Sequence, residues 1–240
     1  MQLDCLSTVN EACTDDFFTR TVIVIDVLRA TSTIVTALEY GSTGVIPVAS
    51  IDEARSIQRH DDLLGGERFC KKIIGFDFGN SSYEYMNPEI EGKRLIITTT
   101  NGTRALEKYK DAAHVIAGSM LNAAVCAQAA LQFKKDILLV CAGTLDHFCL
   151  EDGLCAGLII NELLYRSSTS LELNDFAVSM HLAYKQAKDH LVETMLQCSN
   201  GLRLTRLGFR EDVIYCSQID QIQLVPILES GMMVPFPCYK

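Results

Sequence analysis

Three polar segments of this chain carry the residue types that phosphate-ester chemistry uses. The first is Asp26-Val27-Leu28-Arg29-Ala30-Thr31-Ser32-Thr33. The second is Thr98-Thr99-Thr100-Asn101-Gly102-Thr103-Arg104. The third is Cys141-Ala142-Gly143-Thr144, with Glu151 and Asp152 just beyond. Each follows an apolar, β-branched run and leads into a helical pattern. The first turn of a helix has unpaired N–H groups and a partial positive charge, a cradle for an anion. Thr100, Asn101, Gly102, Thr103 and Thr144 add hydroxyls, an amide and open backbone that suit phosphate oxygens.

The charged residues of these segments have competing explanations. Asp26 ends an otherwise apolar run. It reads as a helix cap or an ion-pair partner of Arg29, or as a carboxylate placed to hold Mg²⁺ or to act as nucleophile or base. Arg29 and Arg104 fall in or just before first helical turns, where the helix dipole disfavours a cation. A nearby anion explains them better than helix stability does. Glu151 and Asp152 open a helix, so they read as caps or as metal ligands. A Gly-rich stretch adds Gly65-Gly66-Glu67-Arg68 and Gly75-Phe76-Asp77-Phe78-Gly79-Asn80-Ser81. There Glu67, Arg68 and Asp77 are candidates to close over a site.

The elements that must position these residues alternate in type. Thr21–Ile25, Val45–Ala49, Arg94–Thr100, His114–Gly118 and Ile137–Ala142 read as buried strands. Helices follow at Thr31–Tyr40, after a Ser50/Glu53 capping box, from Thr103, from Asn122 to Phe133, and over Asp152–Tyr165. Asp175–Gln197 carries a helical apolar stripe that Asn200-Gly201 ends. Gln223–Leu228 reads as a final strand. Residues 61–92 show no clear period and read as an irregular excursion over the site. The alternation predicts a three-layer α/β/α fold with a mainly parallel or mixed sheet, in one domain over residues 1–240. Residues 37–54 and 105–124 share a helix–strand–capped-helix layout, through duplication or convergent patterning. Open α/β sheets bind ligands beyond the carboxyl ends of their strands, where the three polar segments fall.

Composition narrows the partners. The 240 residues carry 21 Lys and Arg against 30 Asp and Glu, a net charge of −9. That field disfavours nucleic acid and an anionic membrane surface as main partners. No apolar run approaches the ~20 residues a bilayer span needs. The acidic N-terminus lacks a signal-peptide layout. The 10 cysteines contain no C-x-x-C pair, so a reduced, cytoplasmic protein is expected. P-loop, dinucleotide-fingerprint and hydrolase-elbow motifs are absent from the sequence.

The segments VIVIDVLRATSTI, GGER…GFDFGNSSYE, TTTNGTRAL, CAGT…LED and LGFREDVIYCSQIDQIQLVPIL resemble, in order, the signature blocks of the 2-phosphosulfolactate phosphatase family. The resemblance covers nearly the whole chain. It departs from the family pattern at Ser81-Ser82, at Asp146 and at Phe69-Cys70-Lys71-Lys72. It implies a Mg²⁺-dependent phosphatase converting (2R)-2-phospho-3-sulfolactate to 3-sulfolactate and phosphate, a step toward coenzyme M. The implied catalytic set is Asp26, Arg29, Glu67 and Arg104. Arg68, Asp77, Thr100, Asn101, Gly102, Thr103 and Thr144 would bind substrate. Asp26, Glu67, Glu151 and Asp152 would supply the metal ligands. The implied partner is a small phosphorylated anion, with a homo-oligomer left open. The alternatives are a non-catalytic binding or sensor protein for such an acid, and a phosphatase for another 2-phospho-acid.

Overall fold

A computed structural model describes residues 1–11 and 15–237. Its strands are β1 (Gln2–Leu6), β2 (Thr21–Ile25), β3 (Gly44–Pro47), β4 (Leu63–Arg68), β5 (Lys71–Lys72), β6 (Arg94–Thr98), β7 (His114–Gly118), β8 (Ile137–Cys141), β9 (Glu172–Leu173), β10 (Val225–Glu229) and β11 (Met232–Phe236). Its helices are α1 (Ala30–Glu39), α2 (Ile51–Ile57), α3 (Gly102–Lys108), α4 (Ala123–Gln132), α5 (Leu150–Arg166), α6 (Asp175–Ala187), α7 (Leu191–Gln197), α8 (Ser199–Arg206) and α9 (Arg210–Cys216). The strands form one mixed sheet in the order β5-β4-β6-β3-β11-β10-β7-β2-β8-β1-β9.

The apolar strands are buried on both faces, which is why they read as continuous runs rather than alternating ones. In β2, Ile23 and Ile25 face α4 and α5, while Val22 and Val24 face α1 and α3. The second face also holds Val45 of β3 and Leu95 and Ile97 of β6. The α/β expectation therefore holds, with helices on both sides of the sheet. Five neighbouring strands from β3 to β2 would span ~19 Å if flat. Yet α3, only ~10 Å across, touches both β2 and β3. The sheet is thus curled around α1 and α3.

The strand order is palindromic through its centre. Exchanging β2 with β6, β3 with β7 and β4 with β8 maps β4-β6-β3-β11-β10-β7-β2-β8 onto its reverse, with the hairpin strands trading places. The repeat in residues 37–54 and 105–124 thus has a topological counterpart, since β3 and β7 flank the hairpin symmetrically.

Several sequence expectations need correction. Residues 61–92 are not wholly irregular, because β4 pairs in parallel with β6 from Leu63 to Gly66. Gly65 and Gly66 concealed this strand, since Gly is depleted from strands. Both have packing reasons. A Cβ on Gly65 would meet the Tyr85 hydroxyl at 2.0 Å, and one on Gly66, at φ +142°, would meet the Thr98 carbonyl at 2.0 Å. The stripe over Asp175–Gln197 is two helices, α6 and α7, joined by a 3-10 turn at Lys188–His190. Asn200-Gly201 does not stop a helix; it opens α8. Its Gly201 N–H is satisfied by the Cys198 sulfur at 3.3 Å. Helix α5 begins at Leu150, so Asp152 lies within its first turn rather than capping it.

Candidate active site

The carboxyl ends of β2, β4, β6 and β8 contribute to one cleft. Its walls include Asp26, Arg29, Glu67, Asn80, Asn101 and Arg203. Thr99, Thr100, Thr144 and Asn200 also line it. Asp26 projects from the end of β2 and is 8% exposed. The backbone N–H groups of Ala30 and Gly102 face its carboxylate and favour its ionised form. These groups open α1 and α3, so two helix N-termini converge on one side chain. Gly102 makes this approach feasible. A Cβ there would lie 2.5 Å from Asp26 Oδ2 and 2.5 Å from Ala30 Cβ.

Burial pushes the Asp26 carboxyl up to about 7, and the neighbouring charges of Glu67 and Glu151 push the same way. The two N–H donors pull against them without winning. Glu67, next to last in β4, is held at both oxygens. Thr100 donates to its Oε1 from N–H and hydroxyl, each at 2.9 Å, and Cys70 N–H donates to Oε2 at 2.6 Å. Glu151 stands behind the wall, where its Oε1 accepts from Asn200 Nδ2 at 2.6 Å.

Asp152 has a different task. Its Oδ1 accepts from Val27 N–H at 2.9 Å and its Oδ2 from Gly143 N–H at 3.0 Å. It therefore ties the turn after β2 to the turn after β8. Burial raises its carboxyl well above the usual carboxylate range, with Asp26 and Glu151 adding to the rise.

The strand-end cradles are thus largely filled by the protein's own carboxylates. Asp26 faces the N–H groups that open α1 and α3. Thr99 and Thr103 close on each other, with Thr99 N–H on Thr103 Oγ1 at 3.0 Å and Thr103 N–H on Thr99 Oγ1 at 3.2 Å. What faces the cleft is carboxylate oxygen, an amide-rich wall and guanidinium.

Arg29 does not pair with Asp26. Its Nη1 donates to Asp212 Oδ2 at 2.8 Å, and both side chains are at most 3% exposed. Ser81 hydroxyl holds the other Asp212 oxygen at 2.6 Å, and the Phe209 ring lies 4.4 Å below the guanidinium carbon. Arg29 is therefore a fixed cation in the cleft wall. The Leu28–Arg29 peptide bond is cis.

The remaining candidates sit further out. Arg68 spends its donors on the Glu67 carbonyl at 2.7 Å and Thr98 Oγ1 at 3.0 Å, and does not line the cleft. Asp77 accepts from Leu64 N–H at 2.8 Å and supports β4. Arg104 is exposed on α3 and outside the cleft lining. Sequence reading missed Asn80, Asn200, Arg203 and Asp212. Asn80 lay within text read as a turn. The other three come from α8 and α9: Asn200 was read only as a helix stop, Arg203 carried no signal, and Asp212 lay in the block LGFREDVIYCSQIDQIQLVPIL, whose family resemblance singled out no residue.

Among the described residues, no three His, Cys, Asp or Glu side chains converge as a ready-made metal cage. The charge balance still fits a divalent cation. Asp26 and Glu67 line a cleft whose buried cation, Arg29, is already matched by Asp212. Mg²⁺ commonly takes one or two carboxylates and completes its shell with substrate phosphate and water.

Fold and site together define an α/β protein that binds a small polar ligand where parallel strands end. The family model described as 2-phosphosulpholactate phosphatase matches residues 7–231. The chain belongs to that family. It is 40% identical over 237 residues to a "Probable 2-phosphosulfolactate phosphatase" of Caldanaerobacter subterraneus subsp. tengcongensis, covering 97% of this chain and 98% of that protein. A Thermotoga petrophila protein of the same name is 42% identical over 215 residues, covering 90% and 92%. One from Clostridium novyi is 37% identical over 229 residues, covering 94% and 96%. No helix among the described residues is long and apolar enough to cross a membrane.

Proposed function

We propose that this protein is a phosphoric monoester hydrolase that converts 2-phospho-3-sulfolactate and water to 3-sulfolactate and phosphate. The observation that carries the reading is the buried Asp26 carboxylate where the ends of β2, β4, β6 and β8 meet, in a chain of this family. The substrate carries phosphate, carboxylate and sulfonate on three carbons, and a cleft lined by Asp26 and Glu67 needs an added cation to admit it. Asp26 and Glu67 would hold Mg²⁺, with Glu151 adding negative field from behind. The bound ion would neutralise phosphoryl oxygens and stabilise the leaving alkoxide.

The chain's own groups do the rest. Thr100 fixes Glu67 in one orientation through two hydrogen bonds. Asp152 holds the turns that carry Asp26 and Thr144 at a constant separation. Arg29, immobilised by Asp212 and Phe209, presents charge without rearranging during the reaction, the form of electrostatic help that costs least. Asn101 and Thr144 line the cleft as neutral hydrogen-bonding partners. The protein works in the cytoplasm, a reading supported by eight free cysteines among the described residues.

Phosphate release from a panel of 2-phospho-acids, with Mg²⁺ and with excess chelator, tests the reading. Release from phosphosulfolactate that needs Mg²⁺ supports it. Tight binding of these acids without phosphate release would instead identify a sensor.

A further inference from the structure

Among the described residues, one guanidinium that lines the cleft is unclaimed by the protein. Arg29 is matched by Asp212, Arg68 is spent on Glu67, Thr98 and Ala49, and Arg104 lies outside the lining. Arg203 of α8 lines the cleft, is half-buried, and has no hydrogen bond or ion pair among the described residues. Its charge reaches the Cys70 thiol in the same wall, as do those of Glu67, Arg29 and Asp26. An Arg held over a cleft without a carboxylate partner retains its full capacity for a bidentate anion.

A second observation is independent of it. Asn80 lines the same cleft at 5% exposure, and its side-chain Oδ1 is buried with no hydrogen-bond partner. Buried polar atoms are rarely left unpaired, and an orphan acceptor in a cleft wall calls for a donor, such as a water that enters with the substrate. The backbone that carries it is held, because the Asn80 main-chain carbonyl accepts from Thr33 Oγ1 at 3.1 Å and the next residue, Ser81, is tied to Asp212.

We propose that Arg203 is the specificity-determining residue of this site, reading the non-reacting sulfonate of the substrate while the phosphate lies toward Asp26. This rests on the phosphosulfolactate reading above. The chemistry suits it. A sulfonate has three equivalent oxygens and takes two parallel N–H donors from one guanidinium. Phe69, 71% exposed at the cleft rim, and Leu204 flank Arg203 in the lining. Their apolar surface limits the water that competes for that contact.

The experiment compares ligands that differ only in the sulfonate. Calorimetric binding of 3-sulfolactate and of lactate is measured in wild type, Arg203→Ala and Arg203→Lys, with Mg²⁺ present. In parallel, kcat/KM is measured for phosphosulfolactate and phospholactate. Wild type should prefer the sulfonated member of each pair by about ten- to a hundredfold, the range for one charge-assisted contact. Arg203→Ala should bring both ratios to within about threefold of unity, and Arg203→Lys should fall between. A role confined to folding would scale both members of a pair alike and leave the ratios unchanged. An Arg203→Ala protein that keeps the wild-type preference overturns the inference, as does a wild type that binds both acids equally. If wild type hydrolyses neither phosphate ester, the phosphatase reading fails, and the calorimetric ratios still decide the role of Arg203.

Discussion

Neutralising Asp26 should stabilise the metal-free protein while removing its activity. In Asp26→Asn the buried charge disappears at nearly constant shape. The carboxyl rises from 3.8 to about 7 on folding, mainly through burial. The native state therefore keeps a proton that the unfolded chain has already released. Between about pH 4 and pH 7 the folded form binds more protons, so its stability falls as pH rises and levels off above the folded value. At ~1.36 kcal/mol per pH unit, the ionised side chain costs roughly 4 kcal/mol at pH 8 and under ~2 kcal/mol at pH 5. Asn retains one acceptor for the two N–H donors of Ala30 and Gly102, and leaving the other unpaired costs about 1–2 kcal/mol at every pH. The net gain at pH 8 is then roughly 2–3 kcal/mol. More diagnostic is its growth by about 2–3 kcal/mol between pH 5 and pH 8, or ~5–10 °C in Tm for a chain of this size. Calorimetric melting of both proteins in chelator across that range reads it directly. Turnover should drop at least about a hundredfold, as for the loss of one preorganised electrostatic group. A melting gap that does not widen with pH would refute the buried-charge argument, and wild-type turnover in Asp26→Asn would refute the catalytic one.

Three further outcomes follow from the same geometry. Mg²⁺ should raise the wild-type Tm more at pH 8 than at pH 5, because only the ionised Asp26 gains from a cation; equal shifts in Asp26→Asn and wild type would count against that site. Asp212→Ala leaves Arg29 buried without its partner, so chemical denaturation should show a loss of about 3–5 kcal/mol, and a loss below ~1 kcal/mol would mean that Arg29 swings to another anion. Gly102→Ala drives a Cβ to 2.5 Å from Asp26 Oδ2, so it should lower kcat well beyond its effect on Tm; unchanged kcat would mean that α3 can withdraw from Asp26 at no cost to the reaction.

The sequence determined the local chemistry and the fold class. The run Thr21–Ile25 could only be a strand buried on both faces, and the structure buries every residue of it. Alternating helices and strands fixed the layered architecture, and Asp26, Thr100, Asn101 and Thr144 meet in the cleft as their strand-end positions suggested, joined by Glu67 from the Gly-rich stretch. Propensity and spacing are local properties, so they survive without coordinates. Tertiary structure decided the rest. Strand β4 was hidden because Gly65 and Gly66 owe their place to Tyr85 and Thr98, which approach from distant segments. Local sequence also left Arg29 beside Asp26, whereas packing of α9 brought Asp212 to it across 183 residues. Arg203 belongs to no motif, and the GFDFGNSSYE block did not single out Asn80; they share a wall because the sheet curls and α8 folds back over its carboxyl edge. Which carboxylates line the cleft and which merely hold its turns is likewise a matter of whose N–H groups reach them, and that is set only when the chain is packed.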